Sequence, residues 1–352
     1  LIHYPQFSLP NQPMDNEKNL TEIFKQLGLS DRNKIGLIGW KLFTTQNEAP
    51  SELFDMPYFI VDALKKSLSS STQVNNGAHL LIGSKGIRTI NNANEIAHYE
   101  YGANLASRCM LNAMNQLNIG MRESDIGALL SAEGQASSVV TIAASGKRFE
   151  NANFYPTHKS LKFGDPISMT TGFKGGLSSR TGFLIKAESD LPASQKNYLE
   201  ALVMPYYKGV VSWLEHIAIG KTGDECYAII DKSLPKAIYN WHLNPGHYVA
   251  DEEWMASPFY QNSKVKIASG MIFQIDIIPS VAGLTGVSAE ECVAVADQAL
   301  QDGLKSEYPE LWERITTRRD YIINELNIKL SPDILPLSNI VGYLRPFLLE
   351  KS

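Results

Sequence analysis

Two long segments of this chain end in the same way, and this internal similarity constrains the fold more than any other feature. Residues 118–125 and 218–225 each contain Ile-Gly followed by a polar turn, and each leads into another apolar, helix-like segment. Before each turn, apolar residues recur in steps of three and four, which predicts a long helix. Each half later reaches a strand-like run that starts with glycine, at Gly164 and at Gly270. Such helix endings are common, so chance is the alternative, but the shared order of four elements favours an internal duplication.

The composition is typical of a globular protein with room for two domains. The chain has 352 residues, of which 44% are hydrophobic and 20% are charged. Its net charge is −5, without a block of Lys or Arg, which argues against a nucleic-acid partner and against an anionic membrane surface. No apolar run approaches the roughly 18 residues of a transmembrane helix. The chain begins at Leu1 rather than at Met, without the pattern of a signal peptide, so we expect that it begins partway into a longer natural product.

The three cysteines favour a reducing compartment. Cys109, Cys226 and Cys292 lie far apart in the sequence. An odd count without a Cys-x-x-Cys pair argues against a disulfide framework and against structural zinc. We therefore expect a cytoplasmic protein whose cysteines act as small buried apolar residues.

The first part of the chain differs in pattern from the rest and predicts a domain of its own. Residues 35–40 and 79–83 are short apolar runs, which predict buried strands. Residues 53–68 predict a helix between these strands, and the polar residues 69–77 predict a loop. We therefore expect a smaller N-terminal α/β domain over residues 1–90, truncated at its start if a longer product exists, and a second domain over residues 91–352.

From residue 95 to residue 297 the chain resembles the creatinase/aminopeptidase superfamily. The motifs that carry the resemblance are residues 95–97 with the Gly-Met-Arg-Glu turn at 120–123, residues 144–146 followed by His158, residues 270–276 preceded by Gly246 and His247, and residues 289–295. The resemblance implies an α+β fold with a duplicated "pita-bread" C-terminal domain. A preceding α/β domain is a feature of the creatinase and prolidase branch, and the resemblance to that branch also implies a homodimer.

Members of this superfamily that depend on metal hold two divalent ions with two Asp, one His and two Glu. Carried over residue by residue, these positions fall on Thr170, Leu177, His247, Asp276 and Glu290. The assignment of Leu177 depends on aligning Arg180 with the family's Arg, and a shift by one residue would place Ser178 there.

Two of these five positions therefore lack a carboxylate. Hard divalent ions need carboxylate oxygens for coordination and for charge. We therefore expect no two-ion centre and no cofactor. A single divalent ion held by His247, Asp276 and Glu290 is the alternative, because three protein ligands and a water suffice for a catalytic metal.

Creatinase hydrolyses a C–N bond on this fold without a metal, and our first hypothesis follows that precedent. It makes His158 the general acid and base, since a pKa of about 6.5 suits proton transfer at neutral pH, and makes Glu290 the second catalytic residue. The residues expected to bind the substrate are His247, Asp276 and Arg180. Creatinase has a Glu immediately before that Arg, where this chain has Ser179. We therefore expect a small cationic or N-substituted amino-acid-like substrate other than creatine.

Two alternatives stay open. The chain could be an Xaa-Pro peptidase or dipeptidase homologue with a degenerate or mononuclear metal site. It could also be a catalytically inactive binding module, since a histone chaperone uses this fold to bind peptides without the metal ligands. The partner we expect is a small-molecule or dipeptide-like substrate.

Overall fold

The computed structural model describes residues 2, 4, 11, 18–83, 85–251 and 256–351. Leu1, before which we expect a longer product, lies outside the described residues. The chain divides into two units, Leu1–Gly86 and Ile87–Ser352. The assignment of residues 1–90 and 91–352 to two functional domains stays a prediction.

The first unit is a small α/β arrangement around two parallel strands. Its elements are α1 (Leu20–Gln26), β1 (Lys34–Leu37), α2 (Tyr58–Ser67) and β2 (Gln73–Asn76). Strand β1 pairs with β2, and α2 lies in the crossover that a parallel pair requires. The prediction of a strand at residues 79–83 is wrong, because Ala78–Leu80 is a 3₁₀ turn. The second strand instead lies in the predicted loop, where polar residues are paired through the backbone and carry no apolar signal.

The second unit is an antiparallel sheet covered by helices. Its strands are β3 (Ile142–Ser145), β4 (Pro166–Phe173), β5 (Gly176–Phe183), β6 (His247–Tyr248), β7 (Ile272–Ile275), β8 (Ser288–Val295) and β9 (Ile334–Pro336). Its helices are α3 (Ala93–Gln116), α4 (Glu123–Leu129), α5 (Lys147–Glu150), α6 (Met204–His216), α7 (Gly223–Ser233), α8 (Lys236–Tyr239), α9 (Gln298–Glu307) and α10 (Pro309–Asn324). The strand order is β3-β4-β5-β8-β7-β6, with β9 paired to β8. Among the described helices, none has the length and apolar character needed to cross a membrane.

The predicted duplication is confirmed in the backbone hydrogen bonds. Gly120 N donates to Leu161 O at 3.0 Å, and Gly220 N donates to Ile267 O at 2.9 Å. Both glycines have φ +90°, and a short turn after each leads into α4 or α7. The strand triplets β3-β4-β5 and β6-β7-β8 then meet at the β5–β8 pair, the centre of the sheet.

The two long helices begin differently. Asn92 caps α3, because its side chain accepts from Glu95 N at 3.0 Å while the Glu95 carboxylate accepts from Asn92 N at 2.9 Å. The second predicted helix starts with a π-helical turn, Leu199–Val203, before α6. Pro205 lies at the start of α6 and has no N–H to donate to the preceding turn, which explains the wider turn.

The two faces of the sheet differ in chemistry. Ile167 and Met169 of β4 pack with residues of α3 and α4 in a buried apolar cluster, and we call this side the helix face. The alternating residues Ser168 and Thr170 point to the opposite side, which we call the site face. The three cysteines are buried and none of the three is in a disulfide, as predicted; the cytoplasmic location stays a prediction.

Candidate functional site

The sheet brings three of the predicted site residues together. Glu290 of β8 pairs with Ser179 of β5. Asp276 directly follows β7, and the β7–β8 register places it level with Glu290 on the neighbouring strand. His247 lies on β6, with its Nε2 3.6 Å from Asp276 Oδ2. Each of the three side chains is buried, at 8% exposure or less. Two carboxylates and an imidazole therefore share one protected region.

A row of hydroxyl groups lies beside these carboxylates, and the sequence analysis missed it. Thr170 Oγ1 donates to Ser179 Oγ at 3.0 Å. Ser179 Oγ in turn lies 3.1 Å from Ser288 Oγ, within hydrogen-bond distance. Ser288 Oγ donates to Thr181 Oγ1 at 3.1 Å, and Thr181 Oγ1 donates to Ser168 Oγ at 3.0 Å. We call these five side chains the hydroxyl row. Small hydroxyl residues at every second position of β4 and β5 were the available signal, since alternate residues share one face.

The two positions expected to carry Asp have changed in different ways. Thr170 lies within the hydroxyl row, whereas Leu177 is a buried apolar side chain opposite Gly172. Alternation along β5 places Leu177 on the site face with Ser179. Ser178, the alternative from the shifted alignment, points to the helix face and donates to Glu291 at 2.8 Å. Of the two alternatives, only Leu177 therefore lies on the site face, and its match to the second Asp position stays a prediction.

Arg180 lies on the helix face, away from Glu290. Its Nη1 is 2.9 Å from Glu291 Oε1, its Nη2 donates to Ile340 O at 2.8 Å, and the residue is 1% exposed. Burial raises the pKa of Glu291, an effect that Arg180 and the Ser178 hydroxyl oppose. Because alternate residues of β5 face opposite ways, Arg180 cannot reach a ligand beside Glu290. We therefore do not keep Arg180 among the substrate-binding residues.

His158 is an exposed residue beside Asp125, and its catalytic role stays a prediction. It is close enough to Asp125 to lower the pKa of that carboxyl, an effect that hydrogen bonds from Arg122 dominate. Asp125 is at the start of α4, which packs on the helix face. The neighbouring Thr157 fixes this loop, because its Oγ1 donates to the buried Glu123 carboxylate at 2.7 Å. These contacts place His158 near the start of α4.

A deeply buried tyrosine lies near the carboxylates. Tyr206 of α6 is buried beneath the sheet, and its hydroxyl accepts from Ala289 N at 2.8 Å. Burial raises the pKa of Tyr206, and the charges of Glu290 and Asp276 raise it further. Asp276 Oδ1 is buried and accepts no hydrogen bond within the described ranges. Burying a carboxylate oxygen without a hydrogen bond lowers the stability of the fold unless a ligand or a cation contacts that oxygen.

Comparison with known proteins identifies the family. Residues 97–297 match the model of metallopeptidase family M24. The chain belongs to family M24. The resemblance to the creatinase/aminopeptidase superfamily and the pita-bread fold are thereby confirmed. A sequence search of curated proteins gives no match.

Several solved structures share the M24 fold with this chain. They include the Xaa-Pro dipeptidase from Bacillus anthracis, with a TM-score of 0.60 and 19% identity over 79% of this chain and 74% of that one. The prolidase from Pyrococcus furiosus has a TM-score of 0.59 and 19% identity over 80% and 77% of the two chains. The prolidase from Pyrococcus horikoshii OT3 has a TM-score of 0.61 and 19% identity over 81% and 77%. At this identity the comparison establishes the fold.

The donors of this M24 chain do not fit two divalent ions. Two such ions carry a charge of +4, whereas Asp276 and Glu290 supply −2 and a coordinating His247 is neutral. Leu177 offers no donor atom, and the Thr170 hydroxyl is bonded within the hydroxyl row. Within residues 18–83, 85–251 and 256–351, no three His, Cys, Asp or Glu side chains form a metal-binding group. We therefore derive no chemical step through a two-ion centre.

Proposed function

We propose that this chain is an Xaa-Pro peptidase homologue that has lost the two-ion centre and binds a small peptide-like ligand without hydrolysing it. One observation carries the proposal. At the position where the family places its first metal-binding Asp, Thr170 gives its proton to Ser179 at 3.0 Å. The Thr170 hydroxyl oxygen belongs to the neutral hydroxyl row and supplies no negative charge to a cation.

The retained carboxylates indicate which group of the ligand they bind. Asp276 and Glu290 are 4% and 8% exposed, and burying two like charges is unfavourable unless a cation compensates them. The ammonium group of a peptide supplies three N–H donors and a positive charge. We therefore assign the binding of an amino group to Asp276 and Glu290, with His247 beside Asp276.

The creatinase-like hydrolysis considered first has weaker support. That reaction needs a group near Glu290 that exchanges a proton, and His158 is exposed beside Asp125 instead. The solved structures described above are named as Xaa-Pro dipeptidases and prolidases, which favours a peptide-like ligand over a guanidinium compound.

A mononuclear Xaa-Pro peptidase is the second candidate. The observation in its favour is that Asp276 Oδ1 is buried and makes no hydrogen bond to any residue that the structure describes, while Oδ2 lies 3.6 Å from His247 Nε2. His247, Asp276 and Glu290 would hold the ion. A divalent ion bound there supplies Lewis acidity toward a peptide carbonyl.

Binding and metal content, measured together, test the proposal. The purified chain is treated with EDTA and titrated with the dipeptide Ala-Pro in a calorimeter, and its metal content is measured by elemental analysis. We expect Ala-Pro to bind without metal and to stay uncleaved when Mn²⁺ is added. Stoichiometric metal together with cleavage of Ala-Pro would reject this function in favour of the mononuclear peptidase. Homodimerisation, implied by the resemblance alone, stays a prediction that sedimentation analysis of the same sample tests.

A further inference from the structure

A groove with a volume of about 640 Å³ lies between the start of α3 and the corner where α9 meets α10. We call it the α3–α10 groove. Two polar bridges join its sides. Asn94 Nδ2 donates to the Tyr308 hydroxyl at 2.8 Å, and Arg314 Nε and Nη2 donate to the Glu100 carboxylate at 3.0 and 2.7 Å. Small-molecule sites in proteins commonly have volumes of this size.

The spacing of the two bridges limits the length of a ligand. Asn94 and Glu100 lie six residues apart on α3, which corresponds to about 9 Å along the helix axis. A chain of three covalent bonds spans at most about 3.6 Å, so an extended six-carbon stem with a terminal nitrogen spans about 7 Å. A stem of this length fits between the bridges.

The floor of the groove is apolar. Ala97 lies midway between the two bridges on α3, and Leu311 of α10, which is 5% exposed, lines the opposite side. The ring of Tyr101 is 49% exposed at the α3 edge of the groove. An alkyl stem placed on this floor removes apolar surface from water. The small side chain of Ala97 leaves space that a larger residue would fill.

The ionised groups of the groove carry one uncompensated negative charge. Arg318 belongs to this set because its Nη2 donates to Glu100 Oε1 at 2.7 Å. The set consists of three carboxylates and two guanidiniums: Glu100, Glu307, Glu310, Arg314 and Arg318. Three negative and two positive charges leave a net charge of −1, with His98 at the groove's edge counted as neutral. A ligand with one positive charge balances this sum.

The uncompensated charge lies at the end of the groove where α9 meets α10. Glu307 and Glu310 are exposed, and among the described residues neither carboxylate forms a hydrogen bond or an ion pair. The helix dipole explains Glu310, which lies in the first turn of α10. It does not explain Glu307, because a carboxylate is disfavoured at the last residue of α9. A bound cation compensates Glu307 there.

We infer that the α3–α10 groove binds a small organic cation: an ammonium group on an apolar stem of about six carbons. The ammonium lies at Glu307 and Glu310, and the stem lies on the floor at Ala97. An ammonium has three N–H donors and no acceptor, so two carboxylates suit it. The residues of the candidate site do not line this groove, and the inference does not depend on the proposed function.

Three probes with similar stems and different head groups test the charge. Hexylammonium is cationic, hexanol is neutral and hexanoate is anionic. Their binding to the full chain is followed by saturation-transfer NMR at low ionic strength, because salt weakens interactions between exposed charges. We expect hexylammonium to bind about fivefold more tightly than hexanol, the upper range for an exposed ion pair. Hexanoate should bind more weakly than hexanol.

Variants of the groove test its location and have a matched control. Glu307→Gln/Glu310→Gln should abolish the preference for hexylammonium over hexanol. Glu313→Gln should keep that preference, because Glu313 is exposed on α10 but lies outside the groove. Ala97→Leu should weaken the binding of hexylammonium and of hexanol about tenfold, because the larger side chain occupies the floor.

Two further comparisons identify the site and the source of the cation. Asp276→Asn/Glu290→Gln removes the charges of the candidate site and should leave hexylammonium binding unchanged. N-acetyl-lysine methylamide presents an ammonium as a protein side chain does, and we expect it to bind more weakly than hexylammonium because its stem is shorter. Tighter binding of this lysine probe would overturn the assignment to a small molecule in favour of a protein partner.

The remaining outcomes decide the inference without deciding the proposed function, which the Ala-Pro titration tests. Hexanol binding as tightly as hexylammonium would refute the role of Glu307 and Glu310. Unchanged binding in Ala97→Leu, or lost binding in Asp276→Asn/Glu290→Gln, would show that the amine binds elsewhere. No detectable binding of any probe would overturn the inference. If circular dichroism shows that Ala97→Leu is unfolded, the probe series with Glu307→Gln/Glu310→Gln decides.

Discussion

Arg180 and Glu291 form a fully buried ion pair, 2.9 Å between Nη1 and Oε1, on the face of the sheet opposite Glu290. Two successive glutamates of β8 therefore have different roles. Glu290 shares the site face with the hydroxyl row, whereas Glu291 links β8 to β5 beneath it. This difference follows from strand alternation, and it divides the predicted site residues into those that can contact a ligand and those that support the sheet.

We predict that Arg180→Met strongly destabilises the protein. The substitution leaves the Glu291 carboxylate buried without its cation, which typically costs about 3–5 kcal/mol. Urea unfolding followed by circular dichroism measures the change. The double variant Arg180→Met/Glu291→Met should recover most of the loss, because it removes both charges. If the double variant is no more stable than the single one, loss of packing rather than an unpaired charge explains the effect.

Restoring the missing carboxylates should restore metal binding. In Thr170→Asp/Leu177→Asp the site face carries four carboxylates, whose charge of −4 balances two divalent ions. We expect this variant to bind Mn²⁺ at least tenfold more tightly than the unmodified chain in a calorimetric titration. The control Thr170→Asn/Leu177→Asn supplies oxygen donors of similar size without the charge and should gain less. Two Mn²⁺ ions bound by the unmodified chain would contradict the assignment of Thr170 and Leu177.

The two histidines should respond differently to substitution. His247→Ala removes a buried group 3.6 Å from Asp276, so we expect it to weaken Ala-Pro binding by at least fivefold. His158→Ala removes an exposed side chain beside Asp125, so we expect unchanged Ala-Pro affinity. A loss of binding in His158→Ala, with normal circular dichroism, would return His158 to the site.

The duplicated turns should respond alike to substitution. Gly120 and Gly220 both have φ +90°, and a side chain at either position would meet no atom within 4 Å. We therefore expect Gly120→Ala and Gly220→Ala each to lower the unfolding free energy by about 1–2 kcal/mol, the cost of left-handed backbone for an L residue. Gly303 in α9 is the control: Gly303→Ala meets nothing closer than 4.0 Å and should stabilise the helix by about 0.5–1 kcal/mol. Clearly unequal losses at the two turns would show that they are not equivalent.

Glu123 should make stability depend on pH in acid. Burial alone would raise the pKa of Glu123, but hydrogen bonds from Thr157 and Ser145 and the charge of Arg148 exceed that effect and lower it. A lowered folded-state pKa stabilises the protein above the ordinary value of 4.5, and this contribution is lost as the pH falls through the folded-state pKa. Glu123→Gln should therefore destabilise the protein at neutral pH and reduce the loss of stability below pH 4.5.

Urea unfolding at a series of pH values measures this dependence. Glu133→Gln is the control, because the pKa of Glu133 is also lowered, by hydrogen bonds from Tyr101 and Arg108, but its side chain is 42% exposed. Water screens such a pair, so the change at Glu133 should be smaller. Equal changes at Glu123 and Glu133 would contradict the role of burial.

Much of the second unit could be predicted from the sequence because its signals are local. The helical stripes predicted α3 and most of α6, and the repeated Ile-Gly endings predicted the duplication that the turns at Gly120 and Gly220 confirm. The strand at β2 escaped prediction, since polar residues paired through the backbone leave no apolar period. The π-helical turn before α6 also escaped, because the effect of Pro205 on the preceding turn is a backbone effect without a side-chain pattern.

The sequence alone determined the α+β class, the duplication and the shortage of carboxylates at the family's metal positions, because each depends on residue type and spacing along the chain. Only the tertiary structure decided which side chains share a face. It joined five hydroxyls from β4, β5 and β8 beside the carboxylates, and it turned Arg180 to the opposite face. The physical reason is that strand register and alternation, which link residues far apart in sequence, set these contacts.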